Sequence, residues 1–248
     1  MSLLVAAKRM TGGALRALGY SVSAIGRPAL DMEPEFIASF EACKPYTSTS
    51  VERMYALFQA TRYIARCGIP GAIVECGVWR GGSMMLSALT LRQLGVTDRA
   101  IYMYDTYAGM AEPEEKDGFE AARGWRSKQK RSHNDWCYAP LQEVRKNMAA
   151  TGYPPDKIRF IEGKVEDTIP EVIPDQIALL RLDTDWYAST HHELEHLFPR
   201  LSRTGVLLLD DYGHWRGARD AVNDYIETHR IPFLLQRIDY SGRLAIKV

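Results

Sequence analysis

Two short acidic motifs, Leu182-Asp183-Thr184-Asp185 and Asp210-Asp211, each close an apolar run. Two strands are therefore expected to end in paired carboxylates. If those strands are neighbours in one sheet, three or four carboxylates converge beyond its edge, where unpaired charges raise one another's pKa. A hard divalent cation relieves that repulsion. An all-oxygen site that keeps waters suits Mg²⁺, with Mn²⁺ or Ca²⁺ as alternatives. A single strand-end aspartate is commonly a turn former or a helix cap, but a DxD and a doublet on two strands are harder to account for that way. The chemistry that needs such a cluster is activation of a hydroxyl, which is a poor nucleophile at neutral pH. A metal lowers its pKa and fixes its position, and a nearby carboxylate takes the proton. Four carboxylates allow three ligands and one base. His214, just after the doublet, is a second candidate base, although a loop histidine is more often a surface or substrate-contact residue. His191 and His192 fall on a helix and read as structural.

A second constellation points to a nucleoside. The segment Glu75-Cys76-Gly77-Val78-Trp79-Arg80-Gly81-Gly82-Ser83 follows an apolar run and precedes a helix. Its glycines let backbone approach a ligand closely. The spacing is (E)xGxxxG, the form seen in methyltransferases, rather than the GxGxxG of dinucleotide sites; a plain tight turn would also place glycines here. Asp105 closes the next apolar run, where an acid accepts hydrogen bonds from both ribose hydroxyls. Dehydrogenases use the same device, so Asp105 indicates adenosine without choosing the cofactor. Farther on, Glu162-Gly163-Lys164-Val165-Glu166 is placed beside the adenine, with Val165 offering apolar contact; Glu166 reads equally as a solvated residue opening a helix.

The elements that must hold these residues alternate. Apolar runs at 72–75, 100–105, 158–163, 177–183 and 205–211 read as strands, with helices expected at 82–94, 140–151, 166–173, 189–200 and 215–229. Continuous apolar strands between helices imply a doubly wound, mostly parallel α/β sheet. Ligands then bind beyond the carboxyl ends of the strands. Two late strands around Tyr240-Ser241-Gly242 read as a hairpin, an antiparallel C-terminal edge. Residues 1–70 precede the sheet as an N-terminal helical arm. That arm contains one strong helix, with Ser50 as N-cap and Gly68 at its stop. Residues 71–248 form a Rossmann-like core. Residues 107–139 are a polar and aromatic insertion holding Trp125 and Trp136, of the length that lids or disordered segments have.

With 248 residues the chain fits one large domain, 1–248. Lys+Arg and Asp+Glu both count 31, so no basic surface marks a nucleic-acid partner. Cys43, Cys67, Cys76 and Cys137 form neither a disulfide framework nor a zinc pattern, which suits the cytoplasm. No apolar run is long enough for a membrane span. Lys8 and Arg9 interrupt the N-terminal apolar stretch where a secretion signal needs continuity, so residues 1–30 read as an amphipathic helix for packing or dimerisation.

The segments YTSTSVERMYAL (46–57), VECGVWRGGSMM (74–85), YDTYAGM (104–110), LRLDTDWYAST (180–190) and LLLDDYGHW (207–215) resemble the macrocin O-methyltransferase family, which includes enzymes that methylate deoxysugar hydroxyls on macrolide and aminocoumarin antibiotics. The likeness extends over nearly all of 46–248. It implies a class I methyltransferase fold, S-adenosylmethionine, Mg²⁺, a place in antibiotic biosynthesis and a small-molecule glycoside as acceptor. A homo-oligomer, a dimer, is expected from the apolar arm at 1–30. By resemblance, Asp183, Asp210 and Asp211 hold the metal and Asp185 is the general base. Thr49 and Ser50 touch the methionine end of the cofactor beside Gly77–Gly81, with Glu75, Val78, Trp79, Arg80 and Ser83 completing that wall. Asp105 and Tyr107 face the ribose, Val165 and Glu166 the adenine. The insertion at 107–139 becomes the lid over the acceptor. Two alternatives remain open: a catechol-type O-methyltransferase acting on an aromatic diol, and a non-catalytic nucleoside-binding protein on the same fold. A dehydrogenase is disfavoured by the glycine spacing.

Overall fold

The computed structural model describes residues 31–232 and 234–248. The apolar segment at 1–30, with its expected helix and its role in dimerisation, lies outside the described residues. From Met32 onward the chain forms one compact unit.

Pro34–Cys43 (α1) opens with proline at its first turn, where the missing N–H costs nothing. Val51–Arg66 (α2) is capped as expected: the Ser50 hydroxyl accepts the Arg53 N–H at 3.1 Å. Its buried Val51, Met54, Leu57, Phe58 and Ile64 follow helical spacing. They pack with Phe36 and Phe40 of α1 into the main core. These two helices are therefore not an arm but a layer of the domain, because their apolar stripes have the sheet to cover.

The strands are β1 (Ala72–Cys76), β2 (Ile101–Asp105), β3 (Ile158–Glu162), β4 (Ile177–Leu182), β5 (Leu201–Leu209), β6 (Gln236–Arg237) and β7 (Arg243–Ile246). They form one sheet in the order β3-β2-β1-β4-β5-β7-β6. β1 to β5 are parallel; β7 runs antiparallel to both β5 and β6. β5 begins four residues before its expected start. Gly82–Gln93 (α3) and Leu141–Ala150 (α5) join α1 and α2 on one face. Tyr187–Leu197 (α7) and Arg216–His229 (α8) cover the other face, where Leu194, Leu197, Val222 and Tyr225 meet Val74, Leu180 and Leu207. The helix expected at 166–173 is only Val165–Thr168 (α6), since Pro170 and Pro174 cut it short.

The insertion at 107–139 is structured. It carries a short 3₁₀ turn, Glu115–Asp117, and the helix Phe119–Lys128 (α4). Its two ends are tied together by Asn134 N–H to Ala108 O and Met110 N–H to Trp136 O, both 2.9 Å.

Candidate active site

The strand order reverses its sense of growth between β1 and β4, and there a doubly wound sheet leaves a crevice at its carboxyl edge. A cavity of about 330 Å³ fills that crevice. Every loop that follows a strand from β1 to β5 reaches it, together with Tyr46–Thr49 ahead of α2 and with Gly109–Ala111, Trp136 and Cys137 of the insertion.

Twelve of the expected site residues line this cavity: Thr49, Gly77, Val78, Trp79, Ser83, Asp105, Val165, Glu166, Asp183, Asp185, Asp210 and Asp211. Ser50, Glu75, Arg80, Gly81 and Tyr107 do not, and each is engaged elsewhere. The Ser50 hydroxyl donates to Asp239 at 2.7 Å while capping α2. Arg80 pairs with Glu143 at 2.6 Å. The Tyr107 hydroxyl donates to the Met103 carbonyl. Gly81 sits at the N-cap of α3 with φ +87°. Glu75 is buried inside the sheet against Arg181.

Asp105 binds the glycine loop itself. One carboxylate oxygen accepts the Val78 and Trp79 N–H groups at 2.6 and 3.0 Å, and the other accepts Tyr107 N–H at 2.7 Å. The acid at the end of β2 thus shapes the turn after β1. Gly77 has its own reason: with φ +81°, a Cβ there would collide with the carbonyl of Asp183, the residue that follows β4. The glycine keeps β1 and β4 in contact at the point where the cavity opens.

The acidic end is built by register. Glu75, Arg181 and Leu208 stand side by side across β1, β4 and β5. Two residues on, Asp183 and Asp210 fall on the same face. Carboxylate oxygens of Asp183, Asp185 and Asp211 all lie within 4.8 Å of one another. Asp210 stands outside this group: its Oδ1 accepts from Arg181 Nη2 at 2.5 Å, and its Oδ2 is paired with Arg53 Nη1. Of the residues expected at the metal, Asp183 and Asp211 fall in this group, Asp210 is engaged by the two guanidiniums, and Asp185 stands beside the first two. Asp185 does so with φ +70°. Non-glycine residues adopt that conformation rarely, and the cavity-lining Trp79 and Cys137 share it.

Crowding shows in the electrostatics. Burial pushes the Asp185 carboxyl up to about 7, working against its hydrogen bond with Asp211 and reinforced by the charges of Asp183 and Asp210. Asp183 and Asp211 are driven well above the carboxylate range, chiefly by burial. Asp211 Oδ2 is buried with no hydrogen-bond partner. An orphaned carboxylate oxygen facing two further carboxylates fits a hard cation, and all the donors are oxygens.

Sequence reading overlooked three parts of the site. Arg181 and Arg53 are one. Another is Glu193 of α7, which is fully buried and accepts the Thr184 hydroxyl at 3.2 Å from beneath the DTD turn. The third is Trp186 and Trp215, which with Trp136 of the insertion make a wall of three mutually edge-on indoles, ring centroids 5.2–5.9 Å apart. Trp136 and Trp215 face the cavity, as does His214, which packs against Trp215.

The family model for macrocin O-methyltransferases (TylF) matches residues 40–245, which takes in all but the last residue of the sheet and every wall of the cavity. The chain belongs to the macrocin O-methyltransferase family. It is 34% identical over 212 residues to 8-demethyl-8-(2,3-dimethoxy-alpha-L-rhamnosyl)-tetracenomycin-C 4'-O-methyltransferase of Streptomyces olivaceus, covering 86% of this chain and 79% of that one. It is 32% identical over 197 residues to demethyldecarbamoylnovobiocin O-methyltransferase of Streptomyces niveus, covering 79% and 74%. The structure of the O-methyltransferase NovP is similar with a TM-score of 0.73 at 31% identity, covering 82% of both chains. This macrocin-type chain is accordingly an O-methyltransferase with the class I fold. No helix among the described residues is long and apolar enough to cross a membrane.

Proposed function

We propose that this O-methyltransferase methylates a sugar hydroxyl of a glycosylated natural product, with a divalent cation, Mg²⁺, at Asp183 and Asp211. One observation carries the reading: the three-carboxylate cluster and the glycine loop open into the same cavity. Methyl donor and hydroxyl can therefore meet without crossing bulk solvent. The relatives named for a rhamnosyl tetracenomycin and for a novobiocin precursor support a glycoside acceptor and antibiotic biosynthesis.

S-adenosylmethionine supplies the methyl group, and the cation supplies Lewis acidity that lowers the pKa of the acceptor hydroxyl. The chain's own residues do the rest. Thr49, Gly77–Trp79 and Ser83 bind the methionine end, and Asp105 holds the loop that receives it. Val165 and Glu166 flank the adenine. Asp185, with a carboxyl brought up to about 7, takes the hydroxyl proton. Trp136 and Trp215 offer apolar faces to the acceptor ring, and the insertion keeps water out. A homodimer and a cytoplasmic location complete the proposal; all four cysteines are free, as a reducing compartment leaves them.

The test is methyl transfer from S-adenosylmethionine to a deoxysugar glycoside and to a catechol, each with and without EDTA. Glycoside methylation abolished by EDTA is expected. Transfer to the catechol alone overturns the acceptor class, and EDTA-resistant transfer overturns the cation.

A further inference from the structure

Arg181 occupies a position that stability does not explain. It lies in the central strand β4, 3% exposed, with Leu179 and Leu208 beside it on the same face and Glu75 opposite it on β1. A charge there costs several kcal/mol of desolvation, and replacing such an ion pair by packed apolar residues is often neutral or stabilising. The pairing is also incomplete as a structural device, because Glu75 Oε2 is buried without a partner.

Its four contacts indicate a different role. Nη1 donates to Glu75 Oε1 at 2.7 Å and to Asp183 Oδ2 at 2.6 Å. Nη2 donates to Asp210 Oδ1 at 2.5 Å and to the Thr49 hydroxyl at 3.2 Å. One planar fork thus orients a member of the acidic cluster, holds Asp210 out of that cluster, and reaches the loop ahead of α2 that walls the methionine end of the cavity. No other described side chain joins the cluster to Thr49 in a single step.

We propose that Arg181 is a positioning residue that couples cofactor occupancy to cation affinity. Thr49 and Asp210 share Nη2, with the Thr49 bond the longer. A ligand that takes up the Thr49 hydroxyl commits Nη2 to Asp210, which fixes the fork in one orientation and with it the Asp183 carboxylate that Nη1 holds. Cofactor and cation then favour each other's binding by the same factor in both directions. This rests on the reading of Thr49 as a cofactor contact and of the carboxylate cluster as the cation site.

The test is Mn²⁺ binding by calorimetry with and without S-adenosylhomocysteine, a probe that lacks the sulfonium charge and so removes direct repulsion of the cation. In the wild type, saturating S-adenosylhomocysteine is expected to tighten Mn²⁺ at least about fivefold, the low end of measured couplings. In Arg181→Lys, which cannot reproduce the fork, Mn²⁺ binds more weakly and the cofactor no longer changes its affinity. Thr49→Val retains every charge and serves if Arg181→Lys does not fold; saturating S-adenosylhomocysteine should leave its Mn²⁺ affinity where it stands without cofactor. A Thr49→Val protein with undiminished enhancement overturns the proposal, as does a folded Arg181→Lys protein that retains it. A wild type that binds Mn²⁺ but shows no enhancement overturns the coupling alone, whereas failure to bind Mn²⁺ at all overturns the cation site.

Discussion

At the residue scale, the four strand-end aspartates look alike in sequence and differ entirely in their surroundings. Asp210 has both oxygens on guanidiniums, while Asp183, Asp185 and Asp211 face one another. Their substitutions should therefore separate. Asp185→Asn is expected to lower kcat by roughly 10²–10⁴, the usual worth of a general base, while Mn²⁺ affinity changes little. Asp183→Asn should weaken Mn²⁺ binding itself. A kcat for Asp185→Asn within a few-fold of wild type removes it as the base. Protonation gives an independent check. Asp183 and Asp211, held well above the ordinary carboxylate range, carry protons at mildly acid pH that a cation must displace. Mn²⁺ affinity should rise with pH by about tenfold per unit below pH 7 for each proton released. A flat profile from pH 5.5 to 8 contradicts this. The aspartates were legible because apolar runs ending in acids are a visible pattern. Arg181 sat in view in the run IALLRLD, and its signal was a lone charge inside a strand buried on both faces. Such a charge demands partners, but its partners Glu75, Asp210 and Thr49 are distant in sequence and only the register of β1, β4 and β5 brings them to it.

At the element scale, α1 was not read, whereas α3, α5, α7, α8 and α2 were legible between the apolar runs, α2 even to its cap. Its place was not, because a helix pattern states which face is buried and not what covers it. The insertion was the least legible part. Its polar, aromatic composition gave no period, since its order comes from single polar contacts. Asp117 is the chief of these: its carboxylate accepts Tyr187 N–H at 2.7 Å and Glu114 N–H at 2.8 Å. It thereby ties the insertion to the start of α7. Gly217 of α8 leaves the space, since a Cβ there would collide with Asp117 Oδ1. Asp117→Ala and Gly217→Ala should both release this corner, each at a cost of about 1–3 kcal/mol. The consequence should be local: faster proteolysis within 107–139 and a raised KM for the acceptor, with the KM for S-adenosylmethionine nearly unchanged. Wild-type protease resistance in both variants would show that the tryptophan wall, rather than Asp117, holds the insertion.

At the scale of the whole molecule, the half-buried carboxylates at the sheet's carboxyl edge make stability depend on what fills the cavity. Their pKa values are higher folded than unfolded, so between about pH 4, the ordinary carboxylate value, and about pH 7 the metal-free folded state holds more protons. Stability then falls as pH rises through that window. Asp185 alone, raised from 3.8 to about 7, accounts for roughly 4 kcal/mol at neutral pH before relaxation. For a chain of this size that corresponds to about 10 °C in Tm. In EDTA the melting temperature should therefore drop between pH 5 and pH 7.5. Saturating Mg²⁺ should restore most of the loss at pH 7.5 and little at pH 5, where the ligands are protonated. S-adenosylhomocysteine adds a separate gain, about 2.7 kcal/mol at a hundred times its Kd, by mass action on the folded state. The two ligands also probe different walls of one cavity, so their separate effects locate any failure. A Tm insensitive to Mg²⁺ at pH 7.5 counts against the carboxylate cluster as a cation site. A Tm insensitive to saturating S-adenosylhomocysteine counts against the glycine loop and Thr49 as the cofactor wall, however well the cation binds.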